Sequence, residues 1–525
     1  MFPGTRRRGS AKRSAKSRRT GGSPAWHGGH RTARSRRERP SHPASLTASF
    51  DGSIHQYAVL MNRSILLACL ASALLGVTIA MVIAGLELSF SRIFTEPRFS
   101  GRTVSGSIVG AALLALAVGI RVPQRLSLWV CLQVWRRIIR RGQTSDLSEV
   151  LLGRADADRP LYWLVLAVIS LAAGGTTALL PIFVRWAGLI HAWMQVHFVW
   201  SLGPLAVWQA GLAFTMGLIP LAALGLTVSC VHHLSCPYGR WDTRATGWLL
   251  IGAAGGVWIA QRLSQATGRG AVILAAAALP VLIVSLISAA SKSARRSDRG
   301  ETFSDHALPL PTWSDRWPRL LRAGIVAVGA GGACTLAVWI EHLAGLEMSA
   351  GVIVPILLLT TGAGVWAGCR SELMRLPSIG TFGVMCTLSG LTTGIGCTGL
   401  AEATSRSGTA GLTAASISMV VIGCTAACGR RALLNRVASR STEGAMVVSR
   451  MVSYAAVIFW IGVPVAQRLI GKLATLATAA VFLVALGGML IIHEPAYSRK
   501  MRRWRLGLVF GAISLMTAGA LLGGR

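Results

Sequence analysis

Residues 65–86 read ILLACLASALLGVTIAMVIAGL, a run without a single charged side chain. The hydrocarbon core of a bilayer is about 30 Å thick and a helix rises about 1.5 Å per residue, so roughly 20 apolar residues make one crossing. By that measure the run is a spanning helix, and the chain repeats it. Runs of the same kind follow at 104–120, 161–180, 205–231, 246–263, 271–290, 323–343, 350–368, 380–400, 409–428, 451–467, 474–492 and 506–522. The composition agrees: 52% of residues are hydrophobic and only 14% charged, a balance that soluble domains of this length rarely show. The expectation is an all-α polytopic membrane protein with about 12–13 transmembrane helices, its first partner being the lipid bilayer itself.

The charges are distributed as a membrane requires. Residues 1–60 hold thirteen Lys or Arg against Glu38 and Asp51, with no apolar periodicity, and read as a disordered, Arg-rich N-terminal tail. A start at Met61, whose Met61-Asn62-Arg63 leads straight into the first helix, is an alternative beginning. The formal net charge of +34 would ordinarily point to nucleic acid. Here most of it lies in the tail and in alternate loops, so nucleic acid is an unlikely partner. The loops 121–160, 291–322, 429–450 and 493–505 carry Arg121, Arg125, Arg136, Arg137, Arg140 and Arg141; Lys292, Arg295, Arg296 and Arg299; Arg430, Arg431, Arg436 and Arg440; and Arg499, Lys500, Arg502, Arg503 and Arg505. The intervening loops are poor in base. The positive-inside rule then places the N-terminus in the cytoplasm and the protein in the plasma (inner) membrane as a multi-pass protein. Residues 126–139, ending in Arg136 and Arg137, read as an amphipathic interfacial segment.

The long charged loop 291–322, with Pro309, Pro311 and Pro318, divides the chain into a first six-helix membrane bundle (61–290), a cytoplasmic central loop (291–322) and a second bundle (323–525). This 6+6(+1) layout resembles that of major-facilitator-type transporters, whose halves are related by repeat. Gly106/Gly110, Gly252/Gly256, Gly364/Gly368 and Gly390/Gly394 are spaced four apart inside spans. On one helix face such pairs let backbones approach closely, which favours a tightly packed bundle.

A second resemblance starts where the first span ends. Gly85-Leu86-Glu87-Leu88-Ser89-Phe90-Ser91-Arg92-Ile93-Phe94 is similar to the Y-E-x-x-W-x-R-L-L motif of membrane-embedded spermidine-synthase-like proteins. Glu87, Phe90 and Arg92 stand at the motif's Glu, Trp and Arg positions, with Leu86 in place of Tyr. The stretch Gly247–Gly256, GWLLIGAAGG, resembles the family's G-x-L-Y-A-A-N-T-L-G helix, with Leu250 and Ala253 replacing Tyr and Asn. The resemblance covers roughly residues 62–290 and implies the transporter-like membrane module of that family. The aminopropyltransferase domain, with its Gly-rich cofactor loop, has no counterpart here. The expectation is therefore a non-enzyme without a cofactor, which binds or moves a small organic cation such as a polyamine, or serves a separate soluble enzyme as partner.

Charged residues at the ends of spans supply the candidate site. The resemblance puts Glu87 and Arg92 in it. Glu341, Glu347 and Glu402 are expected at the same outer face, where a ring of carboxylates attracts a cation. The competing reading is that all of them are solvated interfacial residues. Cys230, His232, His233 and Cys236 offer thiolate and imidazole ligands of the kind zinc or copper prefers, although adjacent histidines on a helix diverge by about 100°. A loose helix end is the plainer account of these four. Trp186, Trp193 and Trp200 recur every seven residues and read as an interfacial anchoring belt between the third and fourth spans. The alternative to a transporter is a scaffold that holds anionic lipid or a protein partner through its Arg-rich loops.

Overall fold

The structure is a computed structural model that describes residues 46–94, 101–121, 159–198, 202–235, 240–268, 270–283, 316–345, 348–370, 379–398, 408–434, 440–493 and 503–514. Two units are distinguished, residues 1–55 and 56–525. In the first, helix begins at Leu46, inside the stretch whose composition reads as a disordered tail. The second unit holds the apolar spans.

The helices in chain order are α1 (Leu46–Ile93), α2 (Gly101–Arg121), α3 (Arg159–Ala178), α4 (Leu180–His197), α5 (Leu202–Ser235), α6 (Arg240–Thr267) and α7 (270–283). They continue as α8 (Arg316–Gly345), α9 (Ala350–Arg370), α10 (Ile379–Thr398), α11 (Gly408–Leu434), α12 (Arg440–Val457), α13 (Val463–Ile470), α14 (Lys472–Ile492) and α15 (503–514). No strand occurs among the described residues. Eight helices are long and apolar enough to cross a membrane, nine with the bent pair α3–α4 taken as one span. In lipid every backbone N–H and C=O must find a partner within the chain, and a helix meets that demand locally. Each of the thirteen apolar runs read from sequence overlaps a helix. The interfacial reading of 126–139 falls outside the described residues.

Two spans are broken, each beside a proline. Between α3 and α4 the axis turns by 43°. Pro181 stands at the start of α4, where its missing N–H and its ring interrupt the hydrogen-bond ladder. Trp186 and Trp193 fall on α4, a helix set at this angle to α3, and Trp200 lies outside the described residues. Both indoles are exposed, while His191 of the same helix is buried edge-on to Phe94 at 4.8 Å. The second break is a π turn, Ile458–Gly462, followed by Pro464 at the start of α13, so α12 and α13 form one irregular span.

Backbone contacts through glycine order the bundle. In α1·α6, a Cβ on Gly76 would strike the Leu249 carbonyl and one on Gly252 that of Ala73. The pair α2·α5 is built alike, Gly119 facing the Ala222 carbonyl and Gly225 that of Leu116. So is α9·α11, with Gly364 on the Val420 carbonyl and Gly423 on that of Thr361. In all three, each glycine faces the carbonyl three residues ahead of its partner glycine. Now α2 and α5 are the second and fourth spans of one half, and α9 and α11 are the second and fourth of the other. The third and sixth spans repeat as well: Gly174 of α3 faces the Ala277 carbonyl of α7, and Gly390 of α10 faces the Ala480 carbonyl of α14. Both glycines head a Gly-x-Thr-Thr stretch, Gly174-Gly175-Thr176-Thr177 and Gly390-Leu391-Thr392-Thr393, whose last threonine is buried in each case. The halves thus share one plan, each with its own apolar core, around Leu75, Phe90 and Leu221 in one and Leu321, Phe382 and Leu483 in the other. α15 lies on the flank of the second half, Val509 against Gly488 of α14.

Candidate translocation site at the seam between the halves

The halves meet along two antiparallel helix pairs, α2 with the α12–π segment and α6 with α9. In α6·α9, Gly247 and Gly362 face each other's carbonyls, with a Cβ on Gly362 falling 2.9 Å from the Gly247 oxygen. At the other end of the same pair Gln261 lies over Gly351 and reaches the Ser349 hydroxyl at 3.4 Å. In the second pair, Gly106 and Gly110 of α2 make room for the π turn. A Cβ on Gly106 would lie 3.2 Å from the Phe459 carbonyl, and one on Gly110 2.8 Å from Trp460 Cβ. Small residues on one side of each pair are what allow the two halves to touch without side chains locking them together.

One end of this seam belongs to the arginine-rich face of the bundle. There the Ser449 hydroxyl of α12 donates to the Ala117 carbonyl of α2 at 2.9 Å. Arg430 Nη1 of α11 donates to the Thr246 hydroxyl of α6 at 2.5 Å. Sequence had assigned Arg430 and Arg431 to a loop. The structure corrects this: α11 continues to Leu434, and the two side chains are only 4% and 5% exposed. Long side chains of this kind can lay their stems along apolar surface, and Arg430 places its guanidinium against the Thr246 hydroxyl of α6.

The expected site residues are spread over several elements. Glu87 sits half-buried near the end of α1, and Arg92, five residues on, is exposed. Glu341 is half-buried near the end of α8, beside the buried Trp339, whose ring meets His342 edge-on at 5.9 Å. α1 and α8 open the two halves, and Glu87 and Glu341 each stand near the C-terminal end of one of them. Glu347 and Glu402 lie outside the described residues. In the metal reading, Cys230 turns into the core of the first half and is 1% exposed, His232 and His233 fall on α5, and Cys236 lies outside the described residues. Among the described residues no three His, Cys, Asp or Glu side chains are grouped to hold a metal.

Sequence reasoning also missed a buried hydroxyl contact between α10 and α11. Ser389 and Thr425 lie 2.6 Å apart, and Thr425 also reaches the Met385 carbonyl at 3.0 Å. Four residues below Ser389, Thr393 is fully buried, and Ser418 of α11 donates to the Thr392 carbonyl at 3.3 Å. A count of Ser and Thr on the α10 face would have been the signal. Such hydroxyls bond across helices because lipid offers them nothing else.

Neither a family profile nor a curated protein sequence matches the chain. Solved structures do. The xylose transporter XylE of E. coli, in a partially occluded inward-open conformation, superposes with a TM-score of 0.53 at 12% identity, covering 83% of this chain and 98% of its own. The same proton:xylose symporter bound to 6-bromo-6-deoxy-D-glucose gives 0.50 at 14% identity, over 83% of this chain and 96% of that one. The nucleoside transporter NupG gives 0.45 at 12% identity, over 82% and 98%. Identity this low speaks for fold alone, and with the repeated glycine contacts it is decisive on that point: the chain is an all-α polytopic membrane protein with the major-facilitator fold.

Proposed function

We propose that the protein is a membrane transporter of a small solute, its two halves tilting about the seam to open one end and then the other. The observation that carries this is the repeated architecture: two halves of the same plan, meeting along α2·α12 and α6·α9 through glycine-lined contacts. A scaffold needs no such symmetry, whereas a binding site exposed alternately to two sides does. The arginine-rich loops put the Arg430 end of the seam toward the cytoplasm of an inner-membrane protein. A soluble enzyme partner would dock on that face.

For the solute, the reading is a small organic cation of the polyamine kind. Its support is the half-buried placement of Glu87 and Glu341 near the ends of α1 and α8, together with the motif around Glu87. Arg92 would shape the same vestibule, and Glu347 and Glu402 would add charge to it. The test is thermal stability of the purified protein titrated with spermidine against a panel of neutral and anionic solutes. A ligand that binds only the folded state adds about 2.7 kcal/mol at a hundredfold excess over its Kd. The expected result is a saturable shift with spermidine that Glu87→Gln and Glu341→Gln each remove. A shift with another solute would discard the cation and keep the transporter; no shift with any would favour the scaffold.

A further inference from the structure

We propose that the hydrogen bond from Arg430 to Thr246 is a latch that holds the arginine-rich end of the seam shut. The inference rests on the transporter reading and assigns one residue pair a task within it. Arg430 belongs to the fourth span of the second half and Thr246 to the fifth span of the first, so this bond ties the halves directly. Thr246 immediately precedes Gly247, which faces the Gly362 carbonyl, so its hydroxyl is presented where the two backbones come closest. Around it the same end is closed by other elements. Ser449 donates to the Ala117 carbonyl at 2.9 Å, and Val448 and Val452 of α12 pack against the core of the first half.

What sets Arg430 apart from these contacts is its charge. The glycine contacts and the valines are indifferent to sidedness, and Ser449 is a neutral donor. A guanidinium 4% exposed is held away from water at a cost that its acceptors must offset. Arg430 stands in the last turns of α11, close to the helix end at Leu434. Parting the halves at this end would hydrate it without any change in its own helix. The bond therefore has two acceptable states, made and dry or broken and wet, as a bistable contact requires. Gly247 and Gly362, with no side chain to disengage, leave the backbones beside it free to separate.

Val448→Cys supplies the probe, because Val448 is half-buried against the core of the first half and would be exposed further if this end parted. The protein is placed in nanodiscs, which leave both faces accessible, and reacted with a membrane-impermeant maleimide. The rate is read above that of protein lacking the new cysteine. Thr246→Val removes the acceptor at nearly constant volume and is expected to raise the rate about tenfold, the factor carried by one hydrogen bond to a charged group. Thr478→Val makes the same change on α14, where the exposed hydroxyl bonds its own turn at Ala474, and is expected to leave the rate unchanged. A finite rate that Thr246→Val does not alter would overturn the latch while leaving the moving seam intact. A rise in both variants would also overturn it, as general loosening. No labelling in any variant would show a static seam, and both the latch and the transporter reading would fall.

Discussion

Gly364→Ala tests whether the backbones of α9 and α11 meet as closely as the repeat requires. A Cβ at Gly364 would lie under 3.0 Å from the Val420 carbonyl oxygen, a separation that real Cβ atoms essentially never show. An ordinary carbon-to-oxygen contact is about 3.3–3.6 Å. The obstruction is backbone on both sides, so no side chain can turn away and the helices themselves must part. Overpacking of this kind costs about 1–3 kcal/mol, and the rigidity of the site puts it near 3. Alanine recovers about 1 kcal/mol through its better helix propensity, leaving about 2 kcal/mol of net loss. That is a factor of about 30 in the ratio of folded to unfolded protein. Gly119→Ala, at the matching place in α2, should cost the same, and the two together should add, because they lie in separate halves with no shared neighbour. The assay is unfolding in a detergent titration followed by helical circular dichroism, with Gly175→Ala as reference, since a Cβ there meets nothing within 4 Å. If Gly364→Ala were as stable as Gly175→Ala, the glycine register would not be what holds the second and fourth spans together.

Two smaller predictions probe the bundle's interior and its lipid face. Ser389→Ala should lose about 0.6 kcal/mol, the usual worth of a side-chain hydrogen bond between helices in a membrane, because Thr425 keeps its bonds to the Met385 and Val421 carbonyls; a loss above about 2 kcal/mol in the same titration would mean the hydroxyls form a more extended network. Trp186 and Trp193 are 60% and 56% exposed on α4, so lipids with brominated acyl chains should quench them. Replacing both by Phe removes two of seventeen tryptophans and should lower the quenched fraction of the emission; an unchanged fraction would place them away from lipid.

Where Glu87 and Glu341 sit illustrates how far reading along the chain could go. Each ends an apolar run, and that much was visible without a structure. That each is half-buried was not, because burial is set by neighbours far away in sequence. The same holds for the repeat itself. Side by side, the halves show little common sequence, yet Gly119 and Gly225 stand to each other as Gly364 and Gly423 do, because the contact is between a bare α-carbon and a carbonyl and needs no other residue to match. Arg430 was misplaced for a related reason. A charged residue after an apolar run reads as a loop, and only packing shows that α11 continues and that Thr246 waits across the seam. The heptad of tryptophans lies on α4 as far as that helix is described, and only the structure shows that His191 between Trp186 and Trp193 is buried against Phe94.

The sequence by itself determined the class of the molecule and set the expectation for its spans, because the bilayer judges each stretch of about twenty residues on its own. Tertiary structure alone decided which helices pair, where the halves meet and which charges lie in the seam. In lipid no hydrophobic force selects a partner helix, so that choice falls to the register of a few small residues and hydroxyls on helices far apart in the chain.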